Sequence, residues 1–185
     1  MILLAILAFA LAACGAIPLA TIARFSGFDE QDFAALDPAA LRVRVSVPEG
    51  FAVDVSQVRL AARVGFEGYA RTERFDLASV GETRAVKGEG TFSRGTRVVT
   101  ETLRLADRSQ GGFRELQRAA RASKAREIHL DVSVALRAAP KGARSVKVWI
   151  EMRLSPGEGY VTLIDGGTIA LGKTEVYGTP APQQP

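Results

Sequence analysis

Four stretches of this chain alternate apolar and polar residues one by one. Leu41, Val43, Val45 and Val47 interleave with Arg42, Arg44 and Ser46. Val58, Leu60, Ala62, Val64 and Phe66 repeat the pattern, as do Ile128 to Leu136 and Val146 to Leu154. Period two sends successive side chains to opposite faces of an extended backbone, so each stretch predicts a strand with one face on a core. Phe75 and Leu77 mark a short further strand, and Arg97 to Leu105, rich in β-branched residues, marks another. Gly81 to Gly95 reads as a polar, glycine-bearing connection. Val161–Ile164 and Thr168–Leu171 flank Asp165-Gly166, a pair suited to the positive φ angles of a two-residue hairpin turn.

The period changes clearly once. Phe113, Leu116 and Ala120 recur at helical spacing, with Arg114, Arg118 and Arg121 on another stripe. This predicts a helix over about 109–125, with Asp107 or Ser109 as its cap. A brief helix from Asp29 to Leu36 would bury Phe33 and Leu36, and Asp37-Pro38 opens a further turn. The expected fold is mainly β: an antiparallel β-sandwich of about seven to eight short strands with one main α-helix. A curved single sheet packed on the helix is the alternative. Ala138 to Gly142 suggests a hairpin loop pairing 128–136 with 146–154. Setting Leu130 near Ile150 puts His129 opposite Glu151 and keeps Asp131 away from Glu151, a like-charge pair that sheets avoid.

Ahead of this domain, Ile2 to Ala10 is an uncharged apolar run of export-signal length, and it leads into Leu11-Ala12-Ala13-Cys14. These four residues resemble the lipobox of bacterial lipoproteins. The resemblance implies a diacylglycerol on the Cys14 thiol, cleavage before Cys14 and acylation of the new amino terminus. Residues 1–13 are then a signal peptide, 14–27 an anchor and tether, 28–176 the β-sandwich domain and 177–185 a disordered, proline-bearing tail. Export signals carry a basic residue ahead of the apolar run; here the α-amino group of Met1 supplies that charge, or the start lies upstream. A transmembrane helix over Ile2 to Ala23 competes with this reading, since no charge precedes Arg24. Gly15 and Pro18 interrupt it where it would be mid-membrane. In the lipoprotein family, Gly15 directly after the cysteine implies the outer membrane more than the inner one.

The residues available for chemistry are few. Cys14 is the single cysteine and His129 the single histidine, so internal disulfides and multi-histidine zinc sites are excluded. No metal or other cofactor is expected. His129, Asp131 and Ser133 have the composition of a hydrolase triad, but alternate residues of one strand stand about 6.5–7 Å apart. Proton relay needs contacts of about 2.6–3.2 Å, so no catalytic residue is assigned. Gly90 to Gly95 has one residue too many before Ser93 for a nucleophile elbow. Asp29, Glu30, Asp32 and Asp37 read as helix-start charges rather than a calcium loop. Trp149, on an outward register between Lys147 and Glu151, should be covered by the helix or the tail, or contact a partner.

Between Ser109 and Arg126, five cations face Glu115 alone, which accounts for the whole formal net charge of +4. Guanidinium groups pair bidentately with phosphate, so Arg114, Arg118 and Arg121 form a candidate contact with an anionic surface. The expectation is a non-enzymatic binding or structural module in the periplasm, tethered to the membrane through lipidated Cys14. Its partner would be an acidic lipid or an envelope protein, with no nucleic acid. A carrier of apolar ligands and an envelope hydrolase are the alternatives.

Overall fold

A computed structural model describes residues 28–88 and 95–171. The fold is mainly β, with nine strands and two α-helices among the described residues. In chain order these are α1 (Glu30–Ala35), β1 (Arg42–Pro48), β2 (Ala52–Val53), β3 (Arg59–Phe66), β4 (Tyr69–Lys87), β5 (Thr96–Leu105), α2 (Asp107–Ala122), β6 (Glu127–Ser133), β7 (Leu136–Ala138), β8 (Ser145–Arg153) and β9 (Val161–Ala170), with a 3-10 turn at Val55–Gln57. Seven strands form one curled antiparallel sheet in the order β6-β3-β4-β5-β1-β8-β9, and β2 pairs with β7. The sandwich-like architecture with one main helix therefore holds, its layers being limbs of one continuous sheet.

The sheet is continuous because β4 changes partner along its length. Residues Tyr69 to Asp76 pair with β3, and Leu77 to Lys87 pair with β5. Where the change occurs, Ser79 faces Leu103 and Gly81 faces Thr102, leaving Val80 as an extra residue. Such a bulge bends a strand and increases its twist. The connection expected over Gly81 to Gly95 is thus in its first half a strand. Residues 82–86 are exposed, so no apolar face betrays them, and backbone pairing to β5 holds them instead.

The core is built from the alternating residues. Val43, Val45 and Val47 of β1, Leu60, Ala62 and Val64 of β3 and Ile150 and Met152 of β8 join one buried cluster with Phe113 and Leu116 of α2. Phe113 sits between Phe33 and Phe75, with ring centroids 5.2 Å from each. Buried Gln117 ties the two helices together by donating from Nε2 to the carbonyls of Phe33 (2.7 Å) and Leu36 (2.9 Å). Those carbonyls lie at the end of α1, where a helix leaves acceptors unpaired.

Several local expectations change. α2 starts at Asp107 after Ala106, with no side-chain cap. Asp107 instead pairs with Arg104, and Ser109 Oγ accepts from the Asp76 amide. The expected 128–136/146–154 hairpin does not form: β6 pairs with β3, and β8 lies between β1 and β9. After β6 the chain adds β7 to β2 before reaching β8. His129 accordingly faces Arg63, not Glu151, while Glu127 faces Gly65 and Asp131 faces Ala61. Charge matching ranked registers of one assumed pair, but β3 offered Arg63 to the same acidic strand.

Asp165-Gly166 is not a hairpin turn either. β9 runs straight through it, with Val148 opposite Gly167 and Ile150 opposite Ile164. Two residues of β9 therefore face Trp149 alone, which is a bulge. Gly166 has φ +67°, and a Cβ there would lie 3.4 Å from the Trp149 ring. Glycine serves the backbone angle and the close approach together.

Candidate anion-binding surfaces

Cys14 and the Leu11–Cys14 motif lie outside the described residues, as do residues 90–94 of the Gly90–Gly95 stretch and the 177–185 tail. Among the described residues, no helix is long and apolar enough to cross a membrane.

The structure brings Arg114, Arg118 and Arg121 onto one exposed side of α2, while Phe113, Leu116, Gln117 and Ala120 face inward. Their side chains leave the core side free for packing on β4 and α1. This stripe is as the sequence reading expected.

The triad composition does not become a triad. His129 Nε2 lies 2.7 Å from Glu127 Oε1 on the same strand, with both side chains more than half exposed. Ser133 Oγ donates at 3.5 Å to the Arg59 carbonyl of β3. The hydrogen bond from His129, then its charge, and finally the more distant Arg63 hold the Glu127 carboxyl below the ordinary glutamate range. A depressed carboxyl stabilises the fold above its unfolded value and loses that contribution as pH falls through its folded value. Urea midpoints measured downward from about pH 5 should therefore fall less steeply for Glu127→Gln than for the native chain. Equal slopes would remove Glu127 from the acid-sensitive set.

The clustered acids near the start of the domain act locally. Asp29 caps α1 by accepting from the amides of Gln31 and Asp32, and Asp32 accepts back from the Asp29 amide. Asp37 Oδ1 accepts from the Ala39 amide in the following turn. The recesses on the described residues include two that differ in size. One of about 220 Å³ lies between Phe28–Glu30 and Ala125–Ile128. The other, about 80 Å³, is lined by Val47, Glu82, Val99, Glu101 and Arg137 among others. Pockets that enclose a small apolar ligand span about 300–1,000 Å³, so both fall short of a carrier's cavity.

A second basic surface, which the sequence reading did not assemble, lies on the outer face of the sheet. Arg42 of β1 is the direct partner of Arg104 on β5 and of Arg153 on β8. With strands about 4.8 Å apart, three arginines fall in one row across the sheet. Arg44, two residues along β1, shares that face. Its guanidinium lies 3.8 Å from the centre of the Tyr160 ring, and that of Arg153 lies 5.4 Å from the same ring. Arg42 donates to the carbonyls of Ala39 and Leu41, and Arg104 pairs with Asp107. Glu151, opposite Arg44, is engaged by Lys87 at 2.9 Å. Among the described residues, Arg42, Arg44 and Arg153 have no carboxylate within ion-pair distance. Alternation alone shows Arg42 and Arg44 facing outward; only the pairing with β5 and β8 reveals the row.

Farther along this outer face, Trp149 is 4% exposed. Strands cover it, not the helix: Gly166 of β9 packs on its ring, and Gly88 after β4 comes within contact range. Beside it Ser46 and Thr100 share a buried hydroxyl hydrogen bond of 2.7 Å.

No known protein family, characterised protein or solved structure shows a significant match to this chain.

Proposed function

We propose that this protein is a membrane-anchored lipoprotein of the bacterial cell envelope, acting as a non-enzymatic binding or structural module on the periplasmic side. The observation that carries the reading is Leu11-Ala12-Ala13-Cys14 at the end of an uncharged apolar run. Two or three acyl chains on Cys14 give firm anchoring, whereas one chain binds a bilayer only marginally. Anchoring keeps the domain at high effective concentration beside headgroups, and Arg114, Arg118 and Arg121 of α2 then contact an acidic lipid or an acidic envelope partner. Each basic residue near an anionic surface contributes about 1 kcal/mol, so three orient the domain but do not hold it alone.

Cell fractionation of the full chain and its Cys14→Ser variant tests this. The native chain should sediment with membranes, and with the outer membrane more than the inner one. The variant should accumulate as uncleaved precursor or appear in the soluble fraction. Identical distribution and identical processing of both proteins would overturn the reading.

A further inference from the structure

We propose that Arg44 and Arg153, held against Tyr160 on the outer face of the sheet, form with Arg42 of the adjoining row a binding site for a phosphate group. This site is separate from the α2 stripe and does not depend on acylation of Cys14.

Sheets avoid like charges directly opposite one another, yet Arg104, Arg42 and Arg153 stand in one row over three adjacent strands. Asp107 compensates Arg104 at one end. Nothing comparable among the described residues compensates the rest, because Glu151, the carboxylate opposite Arg44, is committed to Lys87. An anion set among these guanidinium groups supplies the missing charge.

The geometry favours a phosphate over a diffuse counter-ion. A cation within about 6 Å of an aromatic ring centre is attracted by the π-face, and Arg44 and Arg153 both meet this criterion on Tyr160. A guanidinium held by its face keeps its N–H groups in its own plane, where they reach outward as a fork. Tyr160 thus brings two arginines together, and their planar forks are the donors available to oxygen acceptors. The second indication is Arg153 Nε, which is buried and has no hydrogen-bond partner among the described residues. An unmade buried charged donor is costly, and most such groups are satisfied in folded proteins. Binding that turns this covered group toward a tetrahedral anion gives it an acceptor, while the other oxygens take the neighbouring forks.

Two sources present this chemistry: free phosphate and the headgroup of an acidic phospholipid. The test follows phenylglyoxal modification of Arg44 and Arg153 by peptide mass spectrometry on the full native chain. In neutral detergent, inorganic phosphate should slow modification of both residues relative to chloride at equal ionic strength if the source is free phosphate. In reconstituted vesicles, phosphatidylglycerol mixed into phosphatidylcholine should slow it relative to phosphatidylcholine alone if the source is the lipid. Protection in either arm supports the site, and protection in neither overturns it. In the arm that shows protection, Arg44→Lys keeps the charge but removes the fork and should weaken apparent affinity about tenfold. Lys141→Gln with Arg144→Gln removes two charges from an exposed turn and should leave affinity unchanged. Equal affinity of Arg44→Lys and the native chain would also overturn the proposal.

Discussion

Phe113→Ala is expected to lower the unfolding free energy by about 3–5 kcal/mol. Phe113 is fully buried on α2 and touches two aromatic rings that belong to different elements, Phe33 of α1 and Phe75 of β4. Together with Leu116 and Gln117, it fastens the two helices to each other and to the sheet. Truncation removes apolar contact and leaves a cavity whose walls are held by β4 and by the Gln117 hydrogen bonds, so little collapse can offset it. Domains of this size have about 5–15 kcal/mol in total, which makes this loss a large share. Urea unfolding followed by circular dichroism checks it. A loss below about 1 kcal/mol would mean that the helices dock by other contacts.

Trp149→Ala should cost a similar amount, about 3–5 kcal/mol, although Trp149 stands outside the main core. It stands beside the buried Ser46–Thr100 pair, and the β9 bulge brings Gly166 against its ring. Without the indole, water reaches that pair and the bulge loses the surface it packs on. Trp149→Phe should cost clearly less because a ring remains against Gly166. Trp149 is the single tryptophan, so the native fluorescence reports its environment directly. Emission should shift to the red on unfolding and be shielded from iodide before it. Free quenching in the native state would contradict the described burial.

What could be read from the residues alone followed the physics of each signal. Val43, Val45 and Val47, or Leu60, Ala62 and Val64, define a strand and its inner face because period two is a local property. α2 was visible through Phe113, Leu116 and Ala120 for the same reason at a period of 3.6. Pairing is not local. Glu127, His129 and Asp131 favour any neighbour that supplies compensating charge, and both β3 and β8 do so. The second half of β4 escaped notice because residues 82–86 are exposed. Asp165-Gly166 misled because a glycine at positive φ serves a bulge as well as a turn, and the Trp149 ring that selects the bulge lies on another strand.

The same distinction applies to the candidate sites. The α2 stripe is one helix face and was legible. The arginine row needs residues from β5, β1 and β8, brought together by register, so no spacing in the sequence encodes it. Tyr160 carries no motif at all, and its importance comes from the two guanidinium groups beside it.

The most direct test of the account is the mass of the N-terminal peptide of the protein recovered from membranes. The account predicts a peptide that begins at Cys14, carries diacylglycerol on the thiol and an acyl chain on the amino group, and lacks residues 1–13. An unmodified Cys14 within a peptide that retains the preceding Leu11-Ala12-Ala13 would contradict it.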